Sequence, residues 1–475
     1  MKLCTVGSRA LIVSLFATGV IDAEPIGVPT PPSHYADASA SDPITMGWMV
    51  GDPPPLERQI AFHDLSYMQF PQLRWSFSHW RELVPTTGIS RGGDTVSVMP
   101  RTLRHDLDTV TFLPMGRTER MSWAESLLAN YTDGIVVLHR GTIVYEHYTG
   151  ALTASGHHIA HSVTKSFFGT IGAMLVAEGV LDENALVSAY LPELSGSAFA
   201  DATVRQVMDM TTAQQFSEAY ADPNAEIWDF ARAGGILPWP SGYQGPKSLY
   251  EFLPTVRKQG EHGIGFAYRS TNAEVLTWLI RRVTGKPAAQ ILQERIFNRL
   301  GTEQDAYMGL DPAGNAVGSG GLNLGLRDLA RFGEMMRLQG RWNGRQIVPE
   351  NVIADIRRGG DREKFKTGGY KTLEGWSYRA QWWISHDDHG AYMARGVHGQ
   401  ALFIDPAAET VIARFGSAPW ASNAFLDPTT LPAFRAIADH LMTVERARLQ
   451  ANKAALLEPR SMGMRYVPLP RRSPP

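Results

Sequence analysis

The sequence predicts an α/β (α+β) protein: an antiparallel sheet flanked by helices, with an all-helical region inserted between its strands. Two observations predict it. β-Branched and aromatic runs occur early, in "YTDGIVVLHRGTIVYEHYTG", and late, in "YRAQWWIS", "GQALFID" and "ETVIARFG". Between them, apolar residues recur at helical spacing. Runs so far apart share one sheet only if the first hairpin joins the late strands.

The elements follow in chain order. Residues 1–23 begin with Lys2 and Arg9, continue in a mostly apolar run from Ala10 to Ile21 and end at Ile21-Asp22-Ala23. That is the layout of a secretory signal peptide, which implies a periplasmic or secreted protein; a cytoplasmic leader is the alternative. The run is short for a transmembrane helix, and no later stretch is apolar enough to span a bilayer. The single cysteine, Cys4, excludes an intramolecular disulfide, a Cys-based zinc site and an iron–sulfur cluster. A formal net charge of -2 offers no case for nucleic acid or an anionic membrane surface as partner.

Residues 24–105 are rich in Pro and aromatics without clean periodicity, and read as an N-terminal extension wrapping the body. The main domain spans 106–445, with its helical region at about 170–340. Residues 446–475 form a C-terminal tail that ends in "VPLPRRSPP". Ile135 to Leu138 and Thr142 to Tyr148 flank His139-Arg140-Gly141 as a hairpin. Phe167, Phe168, Ile171, Met174 and Leu175 predict an amphipathic helix stopped by Gly179. Further helical segments are Thr203 to Thr211, Thr271 to Thr284, Leu326 to Leu338, and one from about Leu431.

Three short stretches could carry chemistry. In "HSVTKSFF", Ser162 opens the predicted helix and Lys165 lies one turn on. A serine hydroxyl needs a group to accept its proton, and a lysine at i+3 can do so if burial lowers its pKa. The helix N-terminus adds positive potential where an oxyanion would form. In "GIGFAYRSTNAEVL", Tyr268 and Ser270 precede a helix; a tyrosine beside a buried lysine can be partly ionised and relay a proton. In "ARGVHGQALFIDP", Gly396 and Gly399 bracket a turn into a strand, and the Gln400 N–H could complete an oxyanion hole with that of Ser162.

Other stretches have plainer readings. "KTG" at Lys366-Thr367-Gly368 reads as a charged surface loop. His157, His158 and His161 read as pocket edge or packing rather than a metal site. "HDDHG", His386 to Gly390, reads as a polar hairpin tip.

In combination and in this order, the three stretches resemble the serine β-lactamase and penicillin-binding-protein superfamily, in its class C-like branch. "GSGGLNLGLRDLARFGEMM", Gly318 to Met336, adds to the likeness, which covers about residues 105–445. Within that branch the sequence is similar to 6-aminohexanoate-dimer hydrolases and related carboxylesterases. The grounds are Tyr268-x-Ser270 with Asn272 displaced, "ARGVHGQ" at the third motif, and the loop "FSEAYADPNAEIWDF".

The resemblance implies a β-lactamase-like fold with the active site between sheet and helical region, and a serine hydrolase that cleaves linear amides or esters through an acyl-enzyme. Ser162, Lys165 and Tyr268 would be catalytic, and Ser162 and Gln400 would form the oxyanion hole. Tyr220, Ser270, His398 and Gly399 would bind a small-molecule substrate. No cofactor or metal is required, and a homodimer is the assembly considered. Val397 stands where lactamases carry a lysine or histidine, which weighs against the alternative of a β-lactamase or D-alanyl carboxypeptidase. A non-catalytic receptor of the same fold is the remaining alternative.

Overall fold

A computed structural model describes residues 34–457 apart from Asp94. The predicted signal peptide and the "VPLPRRSPP" end lie outside the described residues. Among those described, no helix is long and apolar enough to cross a membrane.

The first hairpin pairs Thr132–His139 with Thr142–Tyr148 through Arg140 and Gly141, both at positive φ (53° and 76°). Two such residues make the two-residue turn whose twist matches paired strands. Thr132–His139 also pairs with Thr410–Gly416, so the early hairpin does join the late strands. The complete sheet has seven antiparallel strands. From the edge they run Ser377–Arg379, Trp382–Ile384, Tyr392–Gly396, Gln400–Asp405, Thr410–Gly416, Thr132–His139 and Thr142–Tyr148.

Side-chain alternation along Thr132–His139 divides the core. Val136 and Leu138 pack towards Val163–Ala177 and Leu326–Arg337, whereas Ile135 and Val137 pack with Trp123, Phe434, Ile437 and Leu441 on the opposite face. All four are fully buried, each contributing roughly 1.5–3 kcal/mol of hydrophobic stabilisation. Gly333 lets the Leu326–Arg337 helix approach closely, since a Cβ there would meet Leu402 and Val411 at 2.6 Å.

Two expectations need correction. "YRAQWWIS" is not one strand but a hairpin, Ser377–Arg379 and Trp382–Ile384, turning at Ala380 and Gln381 with φ of 47° and 65°. Nothing in Ala-Gln signals such a turn. It is held from outside: Gln381 N donates to Met208 O, Ala380 N to Asp209, and Ser166 Oγ to Gln381 O. The second correction concerns Val163–Ala177, which is not amphipathic, because Val163 to Leu175 are all buried. Its polar residues are absorbed internally. Thr164 Oγ1 accepts from Leu322 N, and Thr170 Oγ1 accepts from Trp382 Nε1.

A second, four-stranded sheet runs Thr86–Ile89, Ala306–Gly309, Leu322–Leu324, His158–Ile159. Its edge strand comes from the extension, so residues 24–105 do more than lie over the body. Tyr67, Leu73, Trp75, Phe77 and Trp80 of that extension form a core of their own together with Ile159 and Tyr307.

Candidate active site

The chain enters the Val163–Ala177 helix through His161 at φ 44° and Ser162 at φ -67°, ψ -5°. The Ser162 hydroxyl makes no capping hydrogen bond to the helix, which excludes an ordinary N-cap serine. It accepts instead from Lys165 Nζ at 2.7 Å, and it also shares a hydrogen bond with Tyr268.

Lys165 is 2% exposed. Its ammonium donates a second hydrogen bond, at 2.6 Å, to the carbonyl of Ser319 in the "GSGG" stretch. Burial lowers the Lys165 pKa to about 8, with Glu218 and Glu274 pulling the other way. Neither carboxylate spends its hydrogen bonds on the lysine. Glu274 accepts from Gly318 N at 3.2 Å and Ser319 N at 2.7 Å, fixing the loop that holds Lys165. Burial raises its own pKa to about 7. Glu218 accepts from the N–H and hydroxyl of Ser270 at the start of the Ser270–Thr284 helix.

Tyr268 lies just before that helix, with its ring centroid 5.1 Å from Lys165 Nζ. Its segment is positioned by the "KTG" stretch, which is exposed as expected and turns away from the end of a short helix, Arg362–Lys366. Phe266 N donates to Lys364 O and to Thr367 Oγ1, each at 3.0 Å. Partial ionisation of Tyr268 is a further expectation that fails. Burial, reinforced by the Glu218 charge, raises its pKa well above the ordinary phenol value, so it holds its proton.

Ser162 and Lys165 open onto a cavity of about 120 Å³, on whose wall Tyr220, Ser270 and His398 also stand. Gln400 and Gly399 do not. Gln400 pairs with Gly396 in the strand register, and its side chain is turned inward, donating to Val397 O and Gly416 O and accepting from Gly416 N. Gly399, at φ 98°, faces Arg414, whose Nε donates to the Gly399 carbonyl. The part of this turn that faces the serine is Gly396–Val397. A Cβ on Gly396 would lie 3.0 Å from Ser162 N, and Val397 lines the cavity.

The three histidines separate. His157 contacts Asp305 O, His158 is buried against Phe415 and Asp133, and His161 lines the cavity. "HDDHG" is a hairpin tip in which His389 bonds Asp405. Among the described residues there is no group of three or more His, Cys, Asp or Glu that could hold a metal ion.

Sequence reasoning missed Ser319, Glu218, Glu274 and the walls supplied by Met68 and Trp80. The "GSGG" stretch is a visible signal for the first. The others offer none, because they meet Lys165 or the cavity only through packing.

Comparisons with known proteins place the fold in a family. A family model described as Beta-lactamase matches residues 125–419. The 6-aminohexanoate-dimer hydrolase of Paenarthrobacter ureafaciens is 31% identical over 392 residues, covering 82% of this chain and 91% of that protein. A Bacillus anthracis structure given the same hydrolase name provisionally superposes with a TM-score of 0.73 at 33% identity, covering 79% of this chain and 96% of that one. A hydrolase with promiscuous acyltransferase activity shares the fold alone, with a TM-score of 0.52 at 14% identity, covering 66% and 98%. A family model spanning more than half the chain, and a relative this similar over most of it, identify the protein: it belongs to the beta-lactamase family and is a serine hydrolase of the amidase and carboxylesterase kind.

Proposed function

We propose that Ser162 is the nucleophile of this hydrolase and that its substrates are linear amides or esters, as in a class C-like 6-aminohexanoate-oligomer hydrolase. The observation that carries the reading is the 2.7 Å contact between Ser162 Oγ and a buried Lys165 whose pKa is lowered to about 8. At pH 7 about one lysine in ten is then neutral and able to accept the serine proton.

In the first step Ser162 Oγ bonds to the substrate carbonyl carbon while its proton passes to Lys165. The N–H groups of Ser162 and Val397, the latter in place of Gln400, stabilise the oxyanion. Tyr268, neutral and hydrogen-bonded to Ser162, protonates the leaving amine or alcohol and is reprotonated from Lys165. The C–N or C–O bond breaks, leaving acyl-Ser162. Water then attacks the acyl carbon by the same relay, releasing the acid and restoring the serine hydroxyl. Tyr220 and Ser270, on the cavity wall, contact the substrate near the scissile bond.

A lactamase or carboxypeptidase reading lacks the cation that would hold a substrate carboxylate. Val397 occupies the place, and His398 next to it is buried, bonded to Ala418 O and lowered to about 4. The organisation into an extension (24–105), a hydrolase domain (106–445) and a tail (446–475) belongs to the same proposal. So does a periplasmic or secreted location, on the pattern of residues 1–23, and a homodimer, which sedimentation would test.

The deciding experiment compares a short-chain p-nitrophenyl ester, a linear amide and a chromogenic cephalosporin, with Ser162→Ala as control. Serine-dependent turnover of the first two is expected. Turnover that survives Ser162→Ala overturns the assignment.

A further inference from the structure

The cavity beside Ser162 has a chemistry of its own. The extension supplies Met68, Trp80 and Val84 to its wall, and the segment from Ile227 to Ile236 supplies Trp228, Phe230 and Ile236. The two contributors are tied together, since the Tyr67 hydroxyl donates to Ile236 O and the Tyr67 ring packs against Trp80. Lys165 is the one Lys, Arg, Asp or Glu among its lining residues, and its hydrogen bonds go to Ser162 and Ser319.

Charged groups in adjoining positions are occupied elsewhere. Glu218 bonds Ser270, Asp311 accepts from Leu249 N and Asn315, and Arg395 pairs with Asp427. Two imidazoles reach the wall, His161 and His398, and burial lowers the pKa of both, so neither carries charge near neutral pH. Among the described residues, His161 Nε2 has no hydrogen-bond partner.

An ammonium brought here would give up hydration with no carboxylate among the lining residues to replace it, and with the Lys165 charge against it, a cost of several kcal/mol. An apolar group suffers no such loss.

We propose that this cavity selects an uncharged, apolar acyl or leaving group and disfavours substrates that carry an ammonium into it. The zwitterionic linear dimer of 6-aminohexanoate falls in the disfavoured class. The inference rests on the serine-hydrolase reading of Ser162 and goes beyond it by naming the substrate's character. Specificity is then set in part by Trp80 and Val84, residues that precede the family-matched segment 125–419.

The test uses the full chain and two amides that share the same scissile bond: the free linear dimer, and the same dimer capped as N-acetyl. The capped form is expected to have a kcat/KM about 100-fold higher or more. Val84→Asp places a carboxylate on the half-exposed part of the wall and should narrow that ratio by favouring the ammonium end.

A second arm is independent of turnover. Tryptophan fluorescence of Ser162→Ala, read from Trp80 and Trp228, is titrated with benzamide and with 6-aminohexanoate, and saturation by benzamide alone is expected. Equal or better use of the free dimer, with Ser162→Ala inactive, overturns the proposal while leaving the nucleophile in place. Failure of fluorophosphonate to label Ser162, with benzamide still bound selectively, removes the nucleophile assignment and retains the cavity's preference. Equal binding of both titrants overturns the proposal regardless of activity.

Discussion

Two buried cations, Arg74 and Lys165, are each 2% exposed, yet they are built for opposite ends. Arg74 ties the extension to the central sheet and is saturated. It donates to Asp133 at 3.2 Å, to the hydroxyls of Ser41 and Ser417 at 2.9 and 3.1 Å, and to Ala38 O. Asp133 is in turn shared with His158. Lys165 receives only a hydroxyl and a carbonyl, while the two nearby carboxylates are hydrogen-bonded to the backbone at Gly318, Ser319 and Ser270. The difference teaches that burial alone does not decide a charge's role. An arginine in a complete set of acceptors is a fixed structural tie, whereas a lysine left short of counter-charge gives up its proton readily.

The sharpest way to break this contrast is to exchange the cation type at the site. Ser162→Ala should lower kcat/KM by about 10⁴-fold or more, and Lys165→Arg by at least about 10³-fold, because a guanidinium cannot act as a base. A Lys165→Arg protein with near-normal turnover would mean that the lowered lysine pKa is irrelevant.

Arg74→Met tests the other half. Leaving Asp133 with His158 but without the Arg74 charge should cost about 3–5 kcal/mol in unfolding free energy, measured by denaturant titration. Activity per folded molecule should change far less than stability. Tyr268→Phe should reduce kcat by about 10²- to 10³-fold, since the leaving group loses its proton donor while the fold keeps the ring.

A smaller effect follows from pH. A lysine that must be neutral to act makes kcat/KM rise with pH up to about 8 and level off above it. Below that point the rate should fall about tenfold per pH unit. Glu218→Gln gives the smallest shift. Glu218 raises the Lys165 pKa, so its neutral replacement should move this limb to lower pH, visible in a kcat/KM profile. A limb that moves upward instead would show that Glu218 acts on Lys165 through something other than its charge.

Much of the central sheet is legible in the sequence, because its hairpin carries β-branched and aromatic runs and a turn residue, Gly141, that tolerates positive φ. The Ala380-Gln381 turn is not, since its residues oppose the conformation and only Met208, Asp209 and Ser166 hold it. At the site, Ser162, Lys165 and Tyr268 can be named from their motifs and do meet. Gln400 is not on the cavity wall, because strand phase after a tight turn depends on the turn's geometry. His398 at φ 61° sets that geometry and leaves Val397 on the cavity. The ionisation expected of Tyr268 fails for a related reason: it treats the lysine charge as the dominant neighbour, whereas desolvation and Glu218 outweigh it.

What the sequence alone determined is the local chemistry. A serine and a lysine three residues apart on a helix are neighbours by the helix pitch, whatever surrounds them. The hairpin, the helical insertion and their order are local in the same sense. Tertiary structure decided what that pair can do and to which substrate. The carbonyl holding Lys165 comes from Ser319, 154 residues away, and the cavity wall joins Trp80 to Trp228. Desolvation and cavity shape are properties of everything packed around a group, so no short stretch of sequence can contain them.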